Sequence, residues 1–218
     1  GGNLSILDDN GDIWITPAGI DKGSLTRNDI ICVKPDGTCI GPHKPSSELP
    51  FHASVYRGRH DLRAVLHADP PALVAFSFAR KLREVDLLRT VRKTCGELAM
   101  ATYAVPGSEE LGENIAKEFE RGINIVLLEN HGVCIGAKDL FAAFMAFETL
   151  EYSANLEIVA NKIGTPKTLS PQAFNVTQTR NHLTMDDFIP RTRSTQERAA
   201  RRDMVTFIHR SYQQGLFS

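Results

Sequence analysis

A chain of 218 residues is long enough to bury the core of one large domain without disulfides. Apolar residues make up 42% and charged residues 23%, and the formal net charge of -1 argues against a nucleic-acid or membrane surface acting through bulk electrostatics. The four cysteines lack C-x-x-C spacing, no apolar run is long enough to span a bilayer, and there is no signal-peptide pattern, so we expect a cytoplasmic protein with reduced thiols.

The first third of the chain is predicted to be mostly antiparallel strand. Turn signals at 8–11 and at Pro35-Asp36-Gly37 each separate two apolar runs, which indicates two hairpins. A helix is expected over 49–59, directly after Ser46, Ser47 and Glu48. Hydroxyls and an acid are common at the positive end of a helix for local reasons alone, so these three residues have a structural explanation as well.

The rest of the chain alternates between predicted strands and helices. We expect strands at 62–69 and 123–130, a strand or turn at 94–96, and helices at 72–83, 110–121, 140–163 and 194–215. Glycine-rich phosphate fingerprints of the dinucleotide or Walker type are missing from the sequence. The pattern predicts a mixed α/β class built around a largely antiparallel sheet.

Two possible metal ligands stand at the end of the strand 62–69. Side chains of an extended chain alternate between faces, so His67 and Asp69 share one face and their donor atoms can meet on one cation. His131, which closes the run 123–130, is the third candidate. Three protein ligands leave one coordination position open, as catalytic zinc sites do.

Other interpretations of these residues remain open at this point. Asp69 precedes Pro70, Pro71 and a predicted helix, where an aspartate often accepts hydrogen bonds from the first backbone N–H groups. His67 and His131, each taken alone, are more often core histidines than metal ligands. Spacing by itself does not choose between these roles.

Several segments, in this order, resemble the class II aldolase/adducin family over about residues 2–170. They are Gly2-Asn3-Leu4-Ser5, Ile15-Thr16-Pro17-Ala18-Gly19, Pro45-Ser46-Ser47-Glu48, Phe51-His52 through Arg59-His60-Asp61, Ala64 to Pro70, Tyr103 through Pro106-Gly107-Ser108, and Glu129-Asn130-His131-Gly132. The resemblance implies a three-layer α/β fold in which helices flank a mainly antiparallel central sheet. It also implies a metal-dependent lyase that cleaves a sugar phosphate or a related keto or hydroxy acid.

The family holds zinc through an H-x-H pair and one later histidine, matched here by His67, Asp69 and His131. Aspartate in the second position departs from that pattern, because a harder anionic oxygen lowers the net charge and favours manganese or another divalent ion more than imidazole does. The resemblance therefore implies Zn²⁺ or another divalent metal such as Mn²⁺. A less cationic site should also polarise a substrate carbonyl less strongly.

The resemblance assigns further roles, residue by residue. Glu48 matches the acid/base residue, which moves a proton while a metal holds the enediolate oxygens. Tyr103 matches a tyrosine that reaches a neighbouring subunit's site, which implies a homo-oligomer, most simply a homotetramer; its alternative role is to anchor a loop. The substrate phosphate is assigned to Gly2, Asn3, Gly19, Ser46 and Ser47. Ala18 stands where the family usually has a hydroxyl residue, so phosphate binding is weaker or the anion is a carboxylate.

The ends of the chain also depart from the family. A helix normally leads the family's first strand, whereas residues 199–218 look like that helix at the opposite end. We therefore divide the chain into an aldolase/adducin-like domain at 1–193 and a C-terminal helix at 194–218, which begins a second copy or packs in place of the leading helix. Two alternatives to the aldolase stay open: a decarboxylase of the same family, and a non-catalytic adducin-like scaffold.

Overall fold

In a computed structural model of the protein, the structure describes residues 1–82, 85–170, 172 and 206. The predicted helix 194–215 and the predicted boundary between domains at 193 and 194 lie outside these described residues, apart from Thr206 itself. No helix in the described ranges has both the length and the apolar character needed to cross a membrane.

One sheet of eight strands organises the described part of the chain. The strands are β1 (Asn3–Leu7), β2 (Ile13–Ile15), β3 (Ile31–Val33), β4 (Cys39–Ile40), β5 (Ala64–Ala68), β6 (Leu98–Ala101), β7 (Ile125–Leu128) and β8 (Val133–Ala137). Their spatial order is β4-β3-β2-β1-β5-β8-β7-β6, and every neighbouring pair is antiparallel except β6 and β7. Strand β5 therefore lies in the middle, between β1 and β8.

Helices cover both faces of the sheet. They are α1 (Leu49–Gly58), α2 (Pro71–Phe78), α3 (Arg89–Cys95), α4 (Glu109–Glu120) and α5 (Leu140–Ile163). Alternate residues of β5 face opposite cores: Ala64 and Leu66 pack with α2, α3 and α5, whereas Val65 packs with α1 and α4. The predicted three-layer α/β fold with a mainly antiparallel sheet is confirmed.

The predicted hairpins and long helices are present, and three details differ. Helix α2 ends at Phe78 rather than near 83, and Arg80 follows it in the left-handed region with φ 51°. The expected strand or turn at 94–96 was wrong, because Thr94 and Cys95 end helix α3, which buries Val91 and Cys95 one turn apart. The sequence analysis did not predict strands β6 and β8.

Strand β8 was hard to predict because it contains Gly136, a poor strand former. The structure explains the glycine: a Cβ atom at this position would lie 2.6 Å from side-chain carbons of both Leu62 and Phe119. Two neighbouring side chains approach so closely that only glycine fits at position 136, although a glycine in a sequence usually indicates the end of a strand.

Candidate metal centre

Three segments bring the candidate ligands to one place above the middle of the sheet. His67 lies in β5 on the face that packs against α1, and Asp69 follows β5 with the same alternation. Glu48 immediately precedes α1. His131 lies in the short turn between β7 and β8, where Asn130 adopts a left-handed conformation with φ 52°. Strand β5 therefore carries His67, the turn before the neighbouring strand β8 carries His131, and the start of a helix carries Glu48.

The candidate donor atoms face one another at short range. The Nε2 atom of His67 lies 3.3 Å from Glu48 Oε2 and 3.5 Å from Asp69 Oδ1. His131 Nε2 lies 3.6 Å from Glu48 Oε1 and 4.0 Å from the same Asp69 oxygen. Among the described residues, Glu48, His67 and His131 form a group whose possible ligand atoms all lie within 4.8 Å of one another. These separations suit donors arranged around a shared cation.

The hydrogen bonding of the same residues fits a divalent metal. Glu48 Oε1 and Asp69 Oδ1 are buried acceptor atoms without a hydrogen-bond partner, which is costly unless a cation or a donor faces them. His67 Nδ1–H donates to the carbonyl oxygen of Val133 at 3.0 Å, which leaves the lone pair of Nε2 directed at the cluster. Two imidazoles and two carboxylates make a donor set that Zn²⁺ and Mn²⁺ both accept.

Burial favours the neutral form of the His131 imidazole. Desolvation lowers the pKa of His131 below its ordinary value, and the nearby His67 adds to the effect, while Glu48 and Asp69 oppose it. A neutral imidazole has a free lone pair for a metal, whereas a protonated one has none. The electrostatics of the site therefore favour the ligating form of this histidine.

The structure rejects the helix-capping explanation for Asp69. The first N–H groups of α2 belong to Ala72 and Leu73, and both donate at 3.0 Å to the carboxylate of Glu151, which reaches across from α5. Pro70 occupies the N-cap position and makes no side-chain cap bond, while Asp69 Oδ1 is left without a partner. The alternative role for Asp69 was therefore wrong, since Glu151 performs it.

The local explanation for Glu48 fails in a similar way. Glu48 is the N-cap residue of α1, but its side chain makes no capping hydrogen bond. The backbone N–H of Glu48 donates to Ser46 Oγ at 3.2 Å, so the serine does serve the start of the helix. The glutamate side chain instead accepts a hydrogen bond from Asn3 Nδ2 at 2.6 Å. A buried carboxylate held this way is presented to the histidines rather than to its own helix.

A buried series of hydrogen-bonded side chains lies behind Glu48 and was not predicted from the sequence. Asn3 Oδ1 accepts from His52 Nε2 at 2.5 Å, and Ser5 Oγ lies 2.7 Å from His52 Nδ1 and 2.8 Å from the hydroxyl of Tyr56. Burial lowers the pKa of His52 well below its ordinary value, and His67 adds to this. The same burial raises the pKa of the Tyr56 hydroxyl. The periodicity of the sequence does place residues 48, 52 and 56 on one face of a helix and residues 3 and 5 on one face of a strand.

The segments proposed to bind substrate lie side by side next to Glu48. Leu4 N–H donates to Thr16 Oγ1 at 3.2 Å, and Ser46 N–H donates to the carbonyl of Thr16 at 3.1 Å, so Thr16 joins all three segments. Ser46 is buried and Ser47 is exposed. Gly2 and Gly19 both have positive φ, at 78° and 68°. Loop backbone is therefore available close to the candidate metal centre.

Tyr103 lies on a loop with half of its surface exposed. Its relative exposure is 49%, and its backbone N–H donates to Glu129 Oε2 at 3.1 Å. Glu129 precedes the turn that carries His131, so the loop and the turn are linked. A hydrogen bond therefore fixes the backbone of Tyr103, and about half of the residue remains exposed.

Gly132 is required by the geometry of the centre. A Cβ atom there would lie 2.4 Å from the backbone oxygen of Ala68 and 2.4 Å from Asp69 Oδ1. The turn from β7 to β8 therefore presses its backbone directly against the segment that carries two candidate ligands. Any larger residue would force Asp69 out of position.

These features define a class of protein. Residues 1–158 match the family described as the Class II Aldolase and Adducin N-terminal domain, and the chain belongs to that family. The sheet flanked by helices on both faces and the group of possible metal ligands formed by Glu48, His67 and His131 agree with the match. The predicted family is confirmed.

Characterised relatives place the chain among enzymes of this family. An L-fuculose phosphate aldolase of Methanococcus maripaludis is 36% identical over 166 residues, which cover 75% of this chain and 87% of the relative. A 3-oxo-tetronate 4-phosphate decarboxylase of Pectobacterium atrosepticum is 35% identical over 159 residues, which cover 71% of this chain and 72% of the relative. A solved L-fuculose 1-phosphate aldolase superposes with a TM-score of 0.72 at 33% identity, covering 81% of this chain and 83% of that one. Aldolases and decarboxylases are both lyases, so the predicted enzyme class is confirmed.

Proposed function

We propose that the protein is a divalent-metal-dependent lyase that breaks a carbon–carbon bond next to the ketone of a phosphorylated substrate. The observation that carries the proposal is the convergence of Glu48, His67, Asp69 and His131, with unpartnered carboxylate oxygens turned toward two imidazole Nε2 atoms. A non-catalytic scaffold would not need two buried carboxylate oxygens, Glu48 Oε1 and Asp69 Oδ1, that face imidazoles without a hydrogen-bond donor. The first candidate reaction is retro-aldol cleavage of a 2-ketose 1-phosphate, as the name of the aldolase relatives suggests.

Cleavage requires a base and an electron sink on opposite ends of the breaking bond. The hydroxyl on C4 loses its proton, the C3–C4 bond breaks to give an aldehyde, and its electron pair moves onto the C2 carbonyl, giving an enediolate. A divalent cation, when bound, supplies Lewis acidity that stabilises the negative charge on substrate oxygens. The proton that leaves the C4 hydroxyl passes to the Glu48 carboxylate, which then delivers it to C3 and completes dihydroxyacetone phosphate. The place of Glu48 beside the ligands suits this proton transfer.

We propose that His67, Asp69 and His131 hold the metal and that Glu48, whose carboxylate lies beside both imidazoles, ligates the same cation when no substrate is bound. Zn²⁺ is the family expectation, and the Asp69 carboxylate shifts the preference toward Mn²⁺ or another hard divalent ion. The metal content of protein purified without chelators tests this directly. We expect stoichiometric divalent metal, and protein with only traces of metal after such purification would contradict the proposal.

We propose that the phosphate lies against Gly2, Asn3, Gly19, Ser46 and Ser47. Positive φ at Gly2 and Gly19 lets backbone approach an anion closely, and the start of α1 adds its positive end. Asn3 donates one of its two amide hydrogens to Glu48, so the other remains for substrate. Because Ala18 has no hydroxyl group to donate, we expect the phosphate to bind more weakly.

Tyr103 is proposed to exchange a proton with the aldehyde oxygen in the site of a neighbouring copy. Its exposure and its position on a loop linked to the His131 turn support this role. The proposal requires a homo-oligomer, most simply a tetramer, in which Tyr103→Phe lowers turnover. A protein that sediments as an active monomer would remove Tyr103 from the mechanism.

Decarboxylation of a 3-oxo acid phosphate is the second candidate, favoured by the identity to the decarboxylase relative. Loss of CO₂ from C2 of 3-oxo-tetronate 4-phosphate leaves its electron pair on the C3 carbonyl, and protonation then yields dihydroxyacetone phosphate as well. Both candidate reactions therefore pass through the same three-carbon enediolate. They differ in whether an aldehyde or CO₂ leaves.

The shared intermediate provides a test that does not depend on knowing the substrate. We expect the metal-loaded protein to exchange one C–H hydrogen of dihydroxyacetone phosphate with D₂O, observed by proton NMR. Glu48→Gln should slow the exchange by about 10²–10⁴-fold, as expected for loss of a general acid–base. L-fuculose 1-phosphate and 3-oxo-tetronate 4-phosphate then separate the candidates by release of aldehyde or CO₂. A metal-loaded protein that neither exchanges nor cleaves would refute the proposed function.

A further inference from the structure

The buried side chains of Asn3, His52, Ser5 and Tyr56 behind Glu48 form a chain of hydrogen bonds with one fixed direction. A Glu48 carboxylate only accepts, so the Asn3 amide must turn its NH₂ group toward it and its oxygen toward His52. His52 must therefore carry its proton on Nε2, and its Nδ1 accepts from the hydroxyl of Ser5. Ser5 in turn accepts from Tyr56. Each member of the chain has one assigned role.

These hydrogen bonds also join two elements of the fold, strand β1 and helix α1. Asn3 and Ser5 belong to β1, whereas His52 and Tyr56 belong to α1. His52 and Ser5 are fully buried, Asn3 is 5% exposed and Tyr56 is 4% exposed, so water does not compete for these bonds. The ring of Phe51 stacks on His52 with centroids 4.4 Å apart and limits its rotation. The orientation of Glu48 is therefore set by a rigid buried support.

We propose that His52 is a positioning residue for Glu48 that acts through the side chain of Asn3. By accepting the His52 N–H, the Asn3 amide is locked with its donor toward Glu48 Oε2, which leaves Glu48 Oε1 turned toward His131. Without this lock the amide is free to rotate, and an amide oxygen facing the carboxylate would repel it. The inference rests on the proposed proton transfer by Glu48.

Two substitutions of His52 separate positioning from simple stability. In His52→Gln the amide nitrogen replaces Nε2, so the bond to Asn3 is retained and the bond to Ser5 is lost. In His52→Asn the amide oxygen replaces Nδ1, so the bond to Ser5 is retained and the bond to Asn3 is lost. Both variants lose one buried hydrogen bond and part of the ring, so their thermal midpoints should fall by similar amounts.

The kinetic test uses hydrogen exchange of dihydroxyacetone phosphate in D₂O. We expect His52→Asn to lower the maximal exchange rate by about 10- to 100-fold and to raise KM by no more than about threefold, because Asn3 is one of five residues proposed to bind the phosphate, whereas its amide alone orients Glu48. His52→Gln should stay within about threefold of the unmodified protein. Equal rates for His52→Asn and the unmodified protein, or equal losses in both variants, would overturn the proposal.

A second measurement keeps the inference testable if the unmodified protein does not exchange this ketone. The visible absorption spectrum and the dissociation constant of Co²⁺ report the donor set that includes Glu48. We expect His52→Asn to change the spectrum and weaken Co²⁺ binding about tenfold, with both restored in His52→Gln. Absent exchange would reject the proposed reaction alone, whereas a Co²⁺ spectrum unchanged by His52→Asn would reject the positioning role.

Discussion

Substitution of Glu151, which lies outside the metal centre, should lower the stability of the protein. Its buried carboxylate accepts one hydrogen bond from Ala72 N–H and one from Leu73 N–H, both at 3.0 Å, at the positive end of α2. Asn155 Nδ2 also donates to Glu151 Oε1 at 3.0 Å. One side chain of α5 therefore fixes the start of the helix that follows Asp69.

Glu151→Ala leaves two buried N–H groups without an acceptor. Each such group costs about 1–3 kcal/mol, so the free energy of unfolding should fall by about 2–6 kcal/mol. Glu151→Gln retains one acceptor oxygen and presents an NH₂ group to the other donor, so we expect a loss of about 1–3 kcal/mol. Urea unfolding followed by circular dichroism gives both values from the shift in midpoint.

Glu148→Gln on the same helix is the matched control. Glu148 is half-buried, and its substitution should change stability by no more than about 0.5 kcal/mol. The reasoning would be refuted if Glu151→Ala were as stable as this control, because the two N–H groups would then have found water or another acceptor. A loss in Glu151→Gln as large as in Glu151→Ala would instead show that the charge, and not the acceptor count, is what matters.

Three further outcomes follow from the geometry. Asp69→Asn should weaken Mn²⁺ or Zn²⁺ binding by about 10- to 100-fold in calorimetric titration, because a neutral amide oxygen is a poorer donor; unchanged affinity would remove Asp69 from the ligand set. Gly132→Ala should lower stability by about 1–3 kcal/mol and weaken metal binding, whereas Gly164→Ala, with open space around it, should do neither in the same titrations. Hydrogen bonds from Thr26 above all lower the pKa of the half-buried Asp29 carboxyl to about 2, so its stabilising contribution is present above about pH 4 and is lost as pH falls through the folded value. A carboxyl NMR titration that places Asp29 near its ordinary pKa would contradict that assignment.

Local patterns in the sequence were sufficient for much of the fold. Turn residues between apolar runs located the β1–β2 and β3–β4 hairpins, and the apolar run ending at His67 located β5. Helix α3 was not predicted because it is short and mostly polar or charged, and only Val91 and Cys95 are buried in the core. Tertiary packing, not local preference, stabilises that helix.

The candidate site shows the same division between local and long-range information. The alternation at His67 and Asp69 was sufficient to predict a shared face, since it depends only on an extended chain. Alternation could not tell a ligand from a helix cap at Asp69, because the true cap, Glu151, lies on a distant helix. Periodicity likewise places His52 and Glu48 on one face of α1, but it could not show that His52 pairs with Asn3 and Ser5 of β1. Pairings across such distances become visible only once the strands are placed.

The outer strand β4 has a consequence for how the protein behaves in concentrated solution. Exposed backbone at the border of a sheet can recruit a strand from another molecule and start aggregation. β4 consists only of Cys39 and Ile40, and the chain turns away at once through Gly41, whose φ is 152°. Two residues offer too few backbone hydrogen bonds to hold an added strand. The short length of β4 therefore protects this edge of the sheet from aggregation.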